Sequence, residues 1–186
     1  SKEQTIGIVA GMEIPPVIKY RKGYEAGAKY VDPDCEVFGV YIDSFSDPAR
    51  GKTAALSQME EGADVIFGAG GRTGSGAIKG AAQKGAWVIG VDQDEFLTSF
   101  SKGKVPAANK IISSAMKRVD NAVYQAIQKA VEGQFHGGTM AFTIQNEGIG
   151  LAPFHMAESA IPAEVKEKLV QIEKDIKAGK IKVPGL

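Results

Sequence analysis

Ala63-Asp64-Val65-Ile66-Phe67-Gly68-Ala69-Gly70-Gly71-Arg72-Thr73-Gly74-Ser75-Gly76 is the stretch that decides the fold. A short apolar run breaks into glycines and small polar residues, and a helical pattern follows until Gly85. A run of this length bounded by turn residues reads as a buried strand. Residues 5–11, 37–44 and 87–94 repeat the phrase, each closing on Gly, Ser or Asp ahead of a helical stretch. Four such units in succession predict a parallel sheet with helices on both faces. Open sheets of this kind bind ligands beyond the carboxyl ends of their strands, where these polar loops fall.

Outward from that unit, strands are predicted over 5–10, 36–42, 63–67 and 87–91. Pro15 and Pro16 open the first helix, in which Val17, Tyr20, Tyr24 and Ala28 recur on one inward face before the stop at Val31-Asp32-Pro33. Ser46 or Asp47 caps the second helix, Pro48 takes its first turn, and Gly62 ends it. Residues 98–109 are polar and include Gly103 and Pro106, which predicts a linker. Beyond it come a short strand over 111–116 and an amphipathic helix over 118–132, with Val119, Val123, Ile127 and Val131 in one stripe. A strand over 139–144 and a last helix opened by Pro162, striped by Val165, Leu169, Ile172 and Ile176, complete the pattern. The fold class is a three-layer α/β sandwich with a mostly parallel, flavodoxin-like sheet of order 2-1-3-4-5.

Composition excludes several roles. The 186 residues carry 22 Lys and Arg against 22 Asp and Glu, so no net field draws nucleic acid, and none is predicted as a partner. The single Cys35 cannot form an internal disulfide and reads as a small buried side chain. No apolar stretch approaches the roughly 20 residues that span a bilayer. The opening Ser1-Lys2-Glu3-Gln4 has no signal-peptide profile and does not speak to export.

Residues 68–76 are the richest local signal, because glycines let a backbone approach a ligand and the following helix presents free N–H groups. Gly68, Gly70 and Gly74, with Asp92 at the end of the next strand, partly imitate a dinucleotide fingerprint. The spacing is one residue too long and follows the third strand, not the first. A lysine followed by Ser or Thr is missing, so a P-loop is not predicted. The stretch is thus either a binding loop that includes Gly71, Arg72, Thr73 and Gly74 or a tight turn. A domain for a nucleotide cofactor such as NAD or FMN stays open as the alternative.

Asp92 and Asp94 read as hydroxyl acceptors or as caps. A metal site is not predicted, since His136 and His155 stand at no helix-face spacing with either Asp. Phe45 ends the second strand among polar residues, where it either stacks on a flat ligand or joins the core. Met12 and Glu13 end the first strand, and Lys117 with Arg118 the fifth, at the same edge. Neither a Ser/His/Asp nor a Cys/His triad suggests itself, so neither enzymatic activity nor a cofactor is predicted.

Six stretches carry a family resemblance: Ile8-Val9-Ala10-Gly11-Met12-Glu13-Ile14-Pro15, Ser44-Phe45-Ser46-Asp47-Pro48-Ala49-Arg50-Gly51-Lys52, Gly62-Ala63-Asp64-Val65-Ile66-Phe67, Val88-Ile89-Gly90-Val91-Asp92-Gln93-Asp94, Met116-Lys117-Arg118-Val119-Asp120 and Gly148-Ile149-Gly150-Leu151-Ala152-Pro153. Together they closely resemble the basic membrane protein family, substrate-binding lipoproteins of ABC importers, several of which bind purine nucleosides. The resemblance implies one lobe of a type I periplasmic binding protein, a nucleoside ligand, an ABC permease partner, and an extracytoplasmic place in the periplasm or on a membrane anchor. It implies that Asp92 and Lys117 hold ribose hydroxyls, that Phe45 lines the cleft, and that Thr73-Gly74-Ser75-Gly76 meets the ligand by its backbone. Arg72 stands where the family commonly has glycine, and Ser75 where it has a nearby asparagine. The family carries a further α/β lobe ahead of the segment starting at Thr5. The expected division is therefore a ligand-binding lobe over 1–106 and 139–186, with 107–138 a crossover strand and helix that belong to the missing lobe. A ligand-sensing regulatory domain is a second alternative. The exposed face of 107–138 is expected either to drive homodimerisation by segment exchange or to fold back onto its own sheet.

Overall fold

The computed structural model describes residues 3–183; Ser1, Lys2 and the expected domain limits at 1 and 186 lie outside the described residues. The elements are β1 (Thr5–Ala10), α1 (Pro15–Val31), β2 (Glu36–Tyr41), α2 (Pro48–Glu60), β3 (Val65–Ala69), α3 (Gly71–Gln83), β4 (Trp87–Asp92), β5 (Ile111–Lys117), α4 (Val119–Val131), β6 (Ile149–Leu151) and α5 (Ala163–Lys177). They build one six-stranded sheet of order β2-β1-β3-β4-β5-β6. The first five strands run parallel, and β6 pairs antiparallel with β5. The predicted 2-1-3-4-5 order is the order found.

Layering follows from which residues are apolar. β1 and β3 are buried along their whole length, as central parallel strands must be when helices cover both faces. On one face α1 sets Tyr20 and Tyr24 against Ile8, Phe67, Ala69 and Val91. On the other, Ala55 of α2 and Ala77, Ile78 and Ala81 of α3 pack with Val9, Ile66 and Val88. Local chemistry starts the helices where the sequence predicts. Pro15 and Pro16 occupy the first turn of α1, and the Asp47 carboxylate caps α2 by accepting from Arg50 N at 2.9 Å. Cys35 is free and buried, and burial pushes its thiol pKa up, which suits a structural role.

Three expectations give way. The glycine-rich stretch is not a loop, because α3 already begins at Gly71, which adopts a left-handed φ of +55°. Thr73-Gly74-Ser75-Gly76 therefore forms helix, and its glycines serve packing. A Cβ on Gly76 would strike the Pro48 carbonyl, and one on Gly51 the Thr73 carbonyl, so α2 and α3 meet backbone to backbone. Residues 98–109 are not a solvated linker either. They make 3₁₀ turns at Ser101–Gly103 and Ala108–Lys110 and bury Phe100 completely in the core beside Phe96 and Ile111.

The strand of the 107–138 segment is paired as in the fold-back alternative, since β5 hydrogen-bonds along β4 from Val88 to Asp92. A parallel neighbour at β4 gives its backbone groups partners that an isolated crossover would lack. The strand expected over 139–144 is absent. Asn146 competes with any ladder there, accepting from Thr143 N at 2.7 Å and donating to Ala141 O at 2.8 Å. The sheet takes Ile149–Leu151 instead, where β5 offers an open edge.

Beyond β5 the packing thins. Neither α4 nor α5 buries a single residue, and the α4 stripe of Val119, Val123, Ile127 and Val131 is exposed. Residues 139–148 lie against α4, with Asn121 donating to Glu147 O at 2.9 Å and Gln125 to Asn146 O at 3.3 Å.

Candidate functional site

Because the sheet is parallel from β2 to β5, the carboxyl ends of five strands form one rim. Read along it in sheet order, Phe45 follows β2, Met12 and Glu13 follow β1, Gly71 and Arg72 follow β3, Asp92 ends β4, and Lys117 ends β5. At one end of the row the Phe45 ring lies on Gly11, close enough that a Cβ there would come within 2.5 Å of it. Gly11 in turn abuts Gly70, so the glycines draw the first three loops together. Phe45 is 36% exposed, which leaves part of its ring open on the rim. Met12, Glu13, Gly71 and Arg72 are exposed as well.

The other end of the row holds a charged pair. Lys117 Nζ lies 2.9 Å from Asp92 Oδ1, with the two side chains 53% and 47% exposed. Tyr20 of α1 donates its hydroxyl to the same Oδ1 at 3.3 Å. Burial, reinforced by the Asp92 charge, pushes the Tyr20 phenol above its ordinary pKa, so it stays a neutral donor. Asp92 itself has a φ of +64°, a conformation that non-glycine residues hold only when their surroundings impose it.

Three candidates are committed elsewhere. Thr73 is fully buried, and its hydroxyl donates to Ser44 O at 2.8 Å while accepting from Asp47 N at 2.9 Å. It ties the start of α3 to the loop after β2, and the buried Gly74 backs onto Gly68. Asp94 bonds His155 at 2.7 Å and accepts from Phe96 N at 3.1 Å, with the His155 ring stacked on Phe96 at 4.2 Å. That carboxylate fastens the segment after β6 to the loop after β4. Arg118 likewise turns from the rim to Asp120, which it holds at 2.8 Å, drawing the Asp120 pKa down.

Sequence reading missed two residues. Tyr20 was legible only as an inward helix position, yet the amino end of α1 stands at the carboxyl rim, so an inward polar tip there reaches the site. Glu95 is 2% exposed beneath the rim, accepting from Ser75 Oγ at 2.7 Å and Val91 N at 3.2 Å. Nothing in its local sequence distinguishes this buried carboxylate from a surface one. Two open grooves flank β2, between it and α1 on one face and α2 on the other, but neither includes a rim residue. Among the described residues, no cluster of His, Cys, Asp and Glu could hold a metal ion, and no helix is long and apolar enough to cross a membrane.

A six-stranded, mostly parallel sheet with helices on both faces is the architecture of one lobe of a type I periplasmic binding protein. The chain belongs to the family described as "ABC transporter substrate-binding protein PnrA-like", which matches residues 1–186. It is 35% identical to the ABC transporter nucleoside-binding protein BmpA of Lactococcus lactis, over 100% of this chain and 54% of that protein. Basic membrane protein D of Borreliella burgdorferi is also 35% identical, over 99% of this chain and 52% of its own length. A solved ABC transporter solute-binding protein from Aeropyrum pernix superposes with a TM-score of 0.78 at 30% identity, covering 97% of this chain and 58% of that one. The chain thus spans about half the length of the curated relatives it matches.

Proposed function

We propose that this chain forms one jaw of an extracytoplasmic solute-binding protein that delivers its ligand to an ABC permease, and that the ligand is a purine nucleoside. The observation that carries the reading is the half-exposed Asp92 and Lys117 pair at the carboxyl ends of β4 and β5. An acceptor and a donor side by side match the vicinal hydroxyls of a ribose, and a carboxylate accepts such bonds more strongly than a neutral group. Phe45 offers a flat face for the base at the far end of the row, with Met12, Glu13, Gly71 and Arg72 between. The jaw binds its ligand without transforming it.

The uncovered faces of α4 and α5 fit the same reading. Half of the relatives' length has no counterpart in this chain, and an apolar stripe such as Val119, Val123, Ile127 and Val131 needs a cover. We assign those faces, with residues 132–148, to contact with that other half. One jaw buries only part of a ligand, whereas pockets enclose most of it, so the lone chain binds weakly.

A thermal-shift panel tests this. Inosine and adenosine at millimolar concentration raise the unfolding temperature, NAD and FMN do not, and Asp92→Ala removes the nucleoside response. A response to NAD or FMN with none to nucleosides overturns the reading in favour of a cofactor domain.

A further inference from the structure

Two donors converge on one oxygen of Asp92. Lys117 Nζ approaches Oδ1 at 2.9 Å and the Tyr20 hydroxyl approaches the same atom at 3.3 Å. Among the described residues no hydrogen bond reaches Oδ2, although Asp92 is about half-exposed at the rim. The donors come from different elements, since Lys117 ends the neighbouring strand and Tyr20 stands on the helix that covers the sheet. Tyr20 is itself held fast: its ring meets Phe67 edge-on, with centroids 6.1 Å apart and planes at 73°.

We propose that Tyr20 is a positioning residue for the solute site: with Lys117 it pins Oδ1, fixes the Asp92 rotamer, and keeps Oδ2 free to accept from a ligand hydroxyl. The inference rests on the solute-capture reading and goes beyond it by assigning a role to a residue beneath the rim. A carboxylate held by Lys117 alone turns about its side-chain bonds as that long, half-exposed lysine moves. A second donor from a rigid ring removes that freedom, so the ligand meets an acceptor already oriented. Asp92 also sits in a left-handed backbone conformation, which persists where neighbours over-determine it, and the Tyr20 bond is one such determinant.

The test compares inosine with 2′,3′-dideoxyinosine, which lacks the sugar diol, on wild type and Tyr20→Phe by NMR titration. Tyr20→Phe deletes a hydroxyl and retains the ring against Phe67. Wild type prefers inosine, and Tyr20→Phe weakens inosine binding by up to about tenfold, because the ligand must then also fix the Asp92 rotamer, while binding of the dideoxy analogue is unchanged. Equal weakening of both ligands, or of neither, overturns the positioning role and leaves solute capture standing. Wild type that binds neither, or does not distinguish them, overturns solute capture and the positioning role with it. The spectra of Tyr20→Phe keep the wild-type amide dispersion, so the variant is folded.

Discussion

Before and after Lys117 the chain follows different rules. The sheet and α1 to α3 pack as a finished core, with Ile8, Val9, Ile66, Ile78, Val88, Phe100 and others fully enclosed. After Lys117, α4 and α5 have equally regular apolar stripes and bury nothing. The same 3.6-residue periodicity thus marks a filled interface in α3 and a vacant one in α4. Amphipathicity states that a face is made to be covered, and only the neighbours decide whether the cover lies within the same chain.

Cavity formation divides the two regions most sharply. Phe100→Ala empties a fully buried site and lowers stability by about 3–5 kcal/mol in urea unfolding. Ile127→Ala on the exposed α4 stripe costs no more than about 0.5 kcal/mol. A loss above about 1.5 kcal/mol at Ile127 breaks the comparison, because it requires α4 to be docked within this chain.

Glycines sharpen it next. Gly76→Ala drives a methyl into the Pro48 backbone and pushes α2 from α3, costing about 2 kcal/mol. Gly137 lies in open space at ordinary φ, so Gly137→Ala is neutral or slightly stabilising in the same measurement. Alkaline titration probes the first region alone. Burial raises the Tyr24 phenol pKa far above its ordinary value, and Tyr20 moves the same way with more solvent contact. Below about pH 10 both states keep these protons, and stability owes them no pH dependence. Above it the unfolded chain releases a proton that the folded one retains, so stability falls with rising pH, by up to about 1.4 kcal/mol per unit for Tyr24. Tyr24→Phe flattens that slope; an unchanged slope would exclude Tyr24 as its source.

The same division governs what the sequence discloses. Strand order and rim were legible because buried parallel strands are continuous apolar runs and their loops must fall at one edge, which put Phe45, Met12, Gly71, Asp92 and Lys117 in a row. That Thr73 and Gly74 lie inside α3 was not legible, because a glycine needed for helix contact is spelled like a glycine in a loop. Asp94 looks like Asp92 in sequence, yet its partner His155 lies 61 residues away and leaves no local trace. The strand expected at 139–144 failed for a related reason, since pairing depends on an available edge and Asn146 supplied a local alternative.

The smallest effect falls at the boundary itself. Lys117 closes the ordered sheet, and its ion pair with Asp92 is 53% and 47% exposed, a setting in which water screens most of the Coulomb gain and the lysine stem loses rotamer freedom. Lys117→Met keeps the stem and deletes the charge, and it changes unfolding free energy by less than about 0.5 kcal/mol. Raising the salt from 0.15 to 1 M leaves even that difference within error, since water already reduces an exposed pair to so small a contribution. A loss above about 1.5 kcal/mol would mean that Asp92 and Lys117 hold the fold together, and the pair would then belong with the packed region and not with the exposed rim.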